Sequence, residues 1–168
     1  MNQSMQDRAA KNAELAAKLQ GLHQQKSLLI ASSNTDGSPL ISYAPFCEYH
    51  GVFYVFISYL AEHTPNLLER PRASIMLLQD EAKTSNVFVR ERVRYEVKCH
   101  AINRDEPLFE AVLQVLEQKQ GKMVGLLKTL GDFYLIALKP TEGSLVVGAG
   151  AAYRFKAGQM DFEQVRGR

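Results

Sequence analysis

The strongest constraint on this chain is a series of short β-branched and aromatic runs, each cut off by a turn. Ser27 to Ser32, Pro39 to Phe46 and Val52 to Ser58 are separated by Asn34-Thr-Asp-Gly37 and by Tyr49-His50-Gly51. Residues branched at Cβ lose rotamer freedom in a helix, so Val52 to Ile57 reads as a strand. Asp36-Gly37 between two apolar segments is a hairpin signal, because glycine accepts the positive φ that such a turn demands. The three runs therefore predict an antiparallel meander. None approaches the ~20 apolar residues that a membrane helix needs, so no membrane insertion is expected.

The rest of the chain extends this pattern. Glu62 to Glu69 reads as a short helix, with Thr64 as N-cap, Pro65 at the first helical position and Pro71 as its stop. Ala73 to Gln79 is a strand. Val87 to Ala101 predicts a long one, with Val87, Val89, Val93, Tyr95, Val97 and Cys99 on one face. A helix begins at Asp105 with Pro107 in its first turn and Leu108, Val112, Val115 and Leu116 on one side. Gly121 to Leu130 reads as a second helical stretch or a loop, carrying Lys122 and Lys128. Asp132 to Leu138 and Ser144 to Val147 are expected as two strands divided by Pro140-Thr-Glu-Gly143. Residues 1–26 form an N-terminal helical arm whose stripe of Leu15, Leu19 and Leu22 either packs on another element or subunit or belongs to a frayed end. Ser4 and Asp7 offer it a weak capping arrangement. Helices are inserted rather than alternating with strands, which predicts a mainly β fold: one antiparallel barrel domain over 27–168 with peripheral helices.

Composition narrows the function classes. Twenty Lys+Arg against eighteen Asp+Glu leave a formal +2, too weak a field for duplex nucleic acid. Two cysteines, Cys47 and Cys99, make no disulfide framework or zinc knuckle, and no charged-then-apolar leader opens the chain. A reduced, cytoplasmic protein is expected. The four histidines, His23, His50, His63 and His100, are scattered, so no metal site is expected within 1–168. Two segments stand out. Arg90, Arg92 and Arg94 fall at period two, a row of guanidinium forks for carboxylates or phosphates, or else a solvated face paired with Glu91 and Glu96. Val147-Gly-Ala-Gly-Ala-Ala-Tyr153 is a run of tiny side chains that admits a flat ligand or marks a bulge or tight strand crossing.

On Ser42-Tyr-Ala-Pro-Phe46, Ala61-Glu-His-Thr-Pro-Asn-Leu67, Ala73-Ser-Ile-Met-Leu77 with Asp80-Glu81, Arg90 to Arg94, Gly131-Asp-Phe133 and Val147 to Tyr153, the chain resembles the HutZ/HugZ haem-utilisation family. That family lies within the pyridoxamine-phosphate-oxidase-like, FMN-binding split-barrel superfamily. The likeness spans about residues 27 to 165. It implies a split β-barrel that works as a homodimer, binds haem and opens the porphyrin with O2 and electrons, in the service of iron acquisition. It implies Arg92 on the distal side of the haem as the catalytic residue, with Arg90, Arg94, Gly148, Gly150 and Tyr153 binding the ligand. His63 would pair with Asp132 across the dimer interface and respond to mild acid. The family's axial histidine lies in a Gly-His segment near the C-terminus. This chain has no histidine after His100, so that ligand is expected just beyond Arg168.

Two other readings share the same residues. A flavin oxidoreductase would hold FMN at the dimer interface, with Arg90, Arg92, Arg94 and Lys98 serving the phosphate. A non-enzymatic haem carrier or store would use the same pocket without turnover.

Overall fold

The structure is a computed structural model that describes residues 3–166. In chain order the elements are α1 (Gln3–His23), β1 (Ser27–Ser33), β2 (Pro39–Tyr49), β3 (Val52–Ser58), α2 (His63–Glu69), β4 (Arg72–Leu78), two 3-10 turns (Glu81–Lys83 and Val87–Val89), β5 (Arg92–Ile102), α3 (Pro107–Gln120), α4 (Met123–Lys128), β6 (Phe133–Gly148), β7 (Ala151–Lys156) and β8 (Glu163–Gln164). The strands order as β3-β2-β1-β4-β5-β6-β7-β8, and β3 also pairs with β6. That closure makes a six-stranded antiparallel barrel, with β7 and β8 added beyond β6. The expected mainly β split barrel with peripheral helices is what the chain forms. No helix among the described residues is long and apolar enough to cross a membrane.

The first hairpins follow the sequence closely. Leu29 faces Tyr43 and Ile41 faces Ala31 across β1 and β2, and Phe46 faces Val55 across β2 and β3. His50 and Gly51 take φ 50° and 75°, the left-handed geometry that matches a two-residue turn to strand twist. Gly37 takes φ 83° at the end of the longer 35–37 loop, closed by the Asn34 N–H donating to the Ser38 carbonyl at 2.8 Å.

Two compact units can be distinguished. The first, here the barrel unit, comprises Lys26–Ile75 and Glu96–Pro140. The second, here the terminal unit, takes its described residues from Met1–Gln25, Met76–Tyr95 and Thr141–Arg168. In the barrel unit β3 is buried on both faces. Tyr54 and Phe56 join Cys47, Phe109, Val112, Leu113, Leu116, Val124, Leu135 and Ala137 in one cluster beneath α3. By the two-residue alternation of a strand, the buried Phe53, Val55 and Ile57 face the other way. Pro107 opens α3 with the φ a first turn needs, and Gly121 at φ 96° ends it. In the terminal unit Leu15, Leu19 and Leu22 of α1 are buried. His23 bonds the Tyr95 hydroxyl at 2.8 Å, and Phe155 stacks edge-on against Tyr95 and tilted against Phe162.

Four local expectations are corrected. β5 starts at Arg92, not Val87: the Asn86 side chain accepts from the Phe88 N–H at 3.1 Å and winds Val87–Val89 into a 3-10 turn. Val87 and Phe88 are consequently exposed, Phe88 to 92%. Next, Pro140 and Gly143 do not divide a strand; they lie inside the continuous β6. Residues 133–138 pair with β3 and residues 142–148 with β7. Pro140 falls between those two ladders, where neither uses its missing N–H. Gly143 faces Phe155, whose ring occupies the space a Cβ would take. Thr64 does not cap α2. Its hydroxyl donates to the Ser58 carbonyl at 2.6 Å, and Glu62 holds the cap position with no side-chain bond. Finally, Ser4 sits inside α1 and so cannot cap its start.

Candidate functional site

Of the three arginines, only Arg92 and Arg94 lie in β5 and share a face; Arg90 closes the 3-10 turn before it. The Arg90 guanidinium is committed locally, donating Nε–H to the Gln79 carbonyl at 2.7 Å and pairing with Glu81 at 3.3 Å. Arg92 is different. It is partly buried, and its Nη1 donates to the Arg90 carbonyl at 2.9 Å. Among the described residues it has no carboxylate partner. Its remaining N–H donors form a planar fork suited to a carboxylate or phosphate. Arg94 is exposed, two residues along the same face. Glu91, between Arg90 and Arg92 and just before β5 begins, is met instead by Lys18 of α1 at 2.5 Å.

The Gly148 to Tyr153 stretch is the β6–β7 hairpin. A bulge interrupts the ladder between Val146 and Gly148, and Gly150 takes φ 66° at the tip. Ala149 and Gly150 are exposed, and a Cβ built on Gly150 would meet nothing within 4 Å. The bulge reading of these residues is realised, and the tip also offers an open backbone surface. Gln164 of β8 donates to the Gly150 carbonyl at 3.0 Å and tethers the tip. Tyr153 is buried opposite Leu145, on the inner side of the hairpin. Arg90, Arg92, Arg94, Gly148, Gly150 and Tyr153 thus all lie in the terminal unit, on or beside the consecutive neighbours β5, β6 and β7.

His63 and Asp132 lie in the barrel unit. His63 is buried at the start of α2, and burial pushes its pKa below the ordinary histidine value. Within one chain it does not bond Asp132, whose carboxylate instead accepts from the Ser58 hydroxyl at 2.5 Å. The Tyr59 N–H donates to the Asp132 carbonyl at 2.7 Å, and the Tyr59 and Tyr134 rings lie 5.8 Å apart. This corner leaves Tyr59 and Tyr134 exposed and Leu60 exposed to 89%. On the outer face of β2, Ile41 and Tyr43 are exposed to 74% and 66%. The axial histidine expected beyond Arg168 lies outside the described residues.

Two features went unread in the sequence. The Lys18–Glu91 pair joins residues 73 positions apart, and no local pattern announces it. The exposed Tyr59-Leu60 corner carried a signal, two large apolar residues after the end of a strand. The two thiols do not bear on the site: burial pushes Cys47 up to about 11 and Cys99 to about 12.

Comparison with known proteins completes the picture. The pyridoxamine 5'-phosphate oxidase family model matches residues 15–147. The chain is 34% identical over 131 residues to a Vibrio cholerae protein named "Heme oxygenase HutZ", covering 78% of this chain and 74% of that one. The solved structure of HutZ, described as the heme storage protein from Vibrio cholerae, superposes with a TM-score of 0.73 at 32% identity over 80% of this chain and 94% of that one. The crystal structure of Campylobacter jejuni ChuZ gives a TM-score of 0.82 at 28% identity over 91% of this chain. The match takes in 63% of the ChuZ chain, so this chain spans just under two thirds of that relative. By the family match and the HutZ identity together, the chain belongs to the pyridoxamine 5'-phosphate oxidase family, in its HutZ-like haem-utilisation branch.

Proposed function

We propose that this protein binds haem as a homodimer and opens the porphyrin ring oxidatively, releasing iron. The single observation that carries the reading is Arg92: a partly buried guanidinium with no carboxylate partner among the described residues, in the same unit as a hairpin tip stripped of side chains. Such a pair of features fits a flat anionic ligand. The fork suits a propionate, and the Gly148–Gly150 tip lets a planar ring approach the backbone. The likeness to HutZ supports the choice of haem over other flat anions. Bound haem supplies the redox chemistry and the ring edge that O2 attacks. The chain's own part is to orient that ring, hold its negative charge at Arg92 and Arg94, and place a hydrogen-bond donor on the distal side.

The exposed Ile41, Tyr43, Tyr59, Leu60 and Tyr134 support a second copy as the partner, since faces this apolar usually mark an interface. Asp132 and His63 belong to the same corner region of the barrel unit. Ser58 donates to the Asp132 carboxylate within one chain, and the reading gives His63 to the Asp132 of a second chain.

Titration with hemin tests the reading: a Soret band at one haem per chain is expected, and free hemin's unchanged spectrum would remove it. Adding a reductant in air separates turnover from storage, the role named for the solved HutZ structure. Loss of the band with an open-chain tetrapyrrole appearing marks catalysis; a persistent band marks a carrier. Arg92→Ala should weaken hemin binding ~3- to 10-fold without abolishing it and slow turnover by roughly 10²-fold, the usual scale for removing a positioned donor. FMN enters through family membership, and a colourless protein that leaves added FMN's absorption unchanged would set it aside.

A further inference from the structure

We propose that Lys18 is a positioning residue for the Arg92 site: by holding Glu91, it keeps the nearest carboxylate in the sequence away from the guanidinium. The inference rests on the reading of Arg92 as the anion-binding residue. Glu91 is flanked by Arg90 and Arg92 and precedes β5, so no strand alternation keeps its flexible carboxylate off two long guanidinium arms. The same segment shows what an unrestrained acid does. Glu81, largely exposed, has reached Arg90 at 3.3 Å. Glu91 is prevented from doing likewise with Arg92 by an ion pair at 2.5 Å to Lys18, with both side chains at least partly buried. Each partner of that pair is fixed independently. The Gln79 N–H donates to the Glu91 carbonyl at 2.9 Å and pins the backbone. Leu15, Leu19 and Leu22, at i−3, i+1 and i+4 from Lys18, are buried and pin α1.

The chemistry follows from charge alone. An anionic ligand entering at Arg92 competes with any carboxylate already there, and a paired guanidinium gives up an existing interaction before forming a new one. Lys18 removes that competitor without touching the ligand. α1 is thereby a part of the site rather than an appendage to the barrel.

The sign of a double-mutant comparison tests this. Lys18→Met is expected to weaken hemin binding ~3- to 10-fold, the scale of one partly exposed charge pair. Glu91→Gln is expected to bind hemin as tightly as the unaltered protein or tighter, Lys18→Met with Glu91→Gln to recover that affinity, and Lys18→Arg to retain it. A bracing role alone predicts that Glu91→Gln weakens binding as much as Lys18→Met, and that result would overturn the proposal. A second readout needs no ligand. In the protein without hemin, the Arg92 Nε–H resonance should move on Lys18→Met and return on adding Glu91→Gln. A resonance that stays put overturns the proposal even if hemin binds. Hemin failing to bind the unaltered protein, with the resonance moving as stated, overturns the haem reading and leaves the Lys18 device standing.

Discussion

The barrel unit and the terminal unit spend their residues differently. In the barrel unit β3 is buried on both faces, and Phe56 meets Phe109 edge-on at 6.0 Å under α3. There the side chains are committed to one another. In the terminal unit the strands keep one buried face and one outward face, along which Arg92, Arg94 and Arg154 stand, and its hairpin ends in small exposed residues. A packed core positions; a surface with outward-facing cations and open backbone can take a ligand. The difference teaches where substitutions should damage folding and where they should damage chemistry.

The largest expected effect belongs to the barrel unit. Phe109→Ala should lower stability by about 3–5 kcal/mol, the usual cost of emptying a fully buried aromatic site. Denaturant titration measures it, and a loss below ~1 kcal/mol would mean that the cluster under α3 does not hold the unit. Next comes a packing test in the terminal unit. Gly143→Ala drives a methyl into the Phe155 ring and should cost about 1–3 kcal/mol, with Phe155→Leu in the same chain relieving most of it. Failure of the second change to help would break the claim that the Phe155 ring is what excludes a side chain at position 143.

The smallest effect is a pH dependence at His63. Burial lowers its pKa in the folded chain, so below the ordinary histidine pKa of about 6.5 the unfolded state binds the proton more readily. Its contribution is therefore intact above that pH and lost as the pH falls through it. At dilutions that keep the chain single, stability should decline from pH 7 to 5 more steeply than in His63→Gln. At high concentration, a partner's Asp132 carboxylate would favour the charged imidazole and flatten that decline. Curves that superpose at both concentrations would separate His63 from the interface.

Much of the barrel was legible because its signals are local. Asp36-Gly37 and His50-Gly51 announced their turns, and glycine or a left-handed residue sits at each. Pro107 and Gly121 likewise bracketed α3. The misreadings came where a residue's ordinary meaning depends on its neighbours in space. Pro140 usually ends a strand, yet here it falls where the β3 pairing of β6 has ended and the β7 pairing has not begun, so neither ladder uses its missing donor. Asn86 competes with the ladder through its own side chain, so an alternating sequence begins as a 3-10 turn. The site divides the same way. The arginine row and the small-residue run were visible as patterns, but which guanidinium is already spoken for was not. Glu81 and Lys18 decide that from 9 and 73 residues away.

The two sulfurs have a consequence for a chain proposed to work amid O2 and loosened iron. With thiols pushed to about 11 and about 12, far less than a thousandth of either is thiolate at neutral pH. Sulfenic acid formation and mixed disulfides with small thiols both begin from the thiolate. The molecule therefore carries its cysteines as inert filler, and alkylating reagents should leave them unmarked until the fold opens.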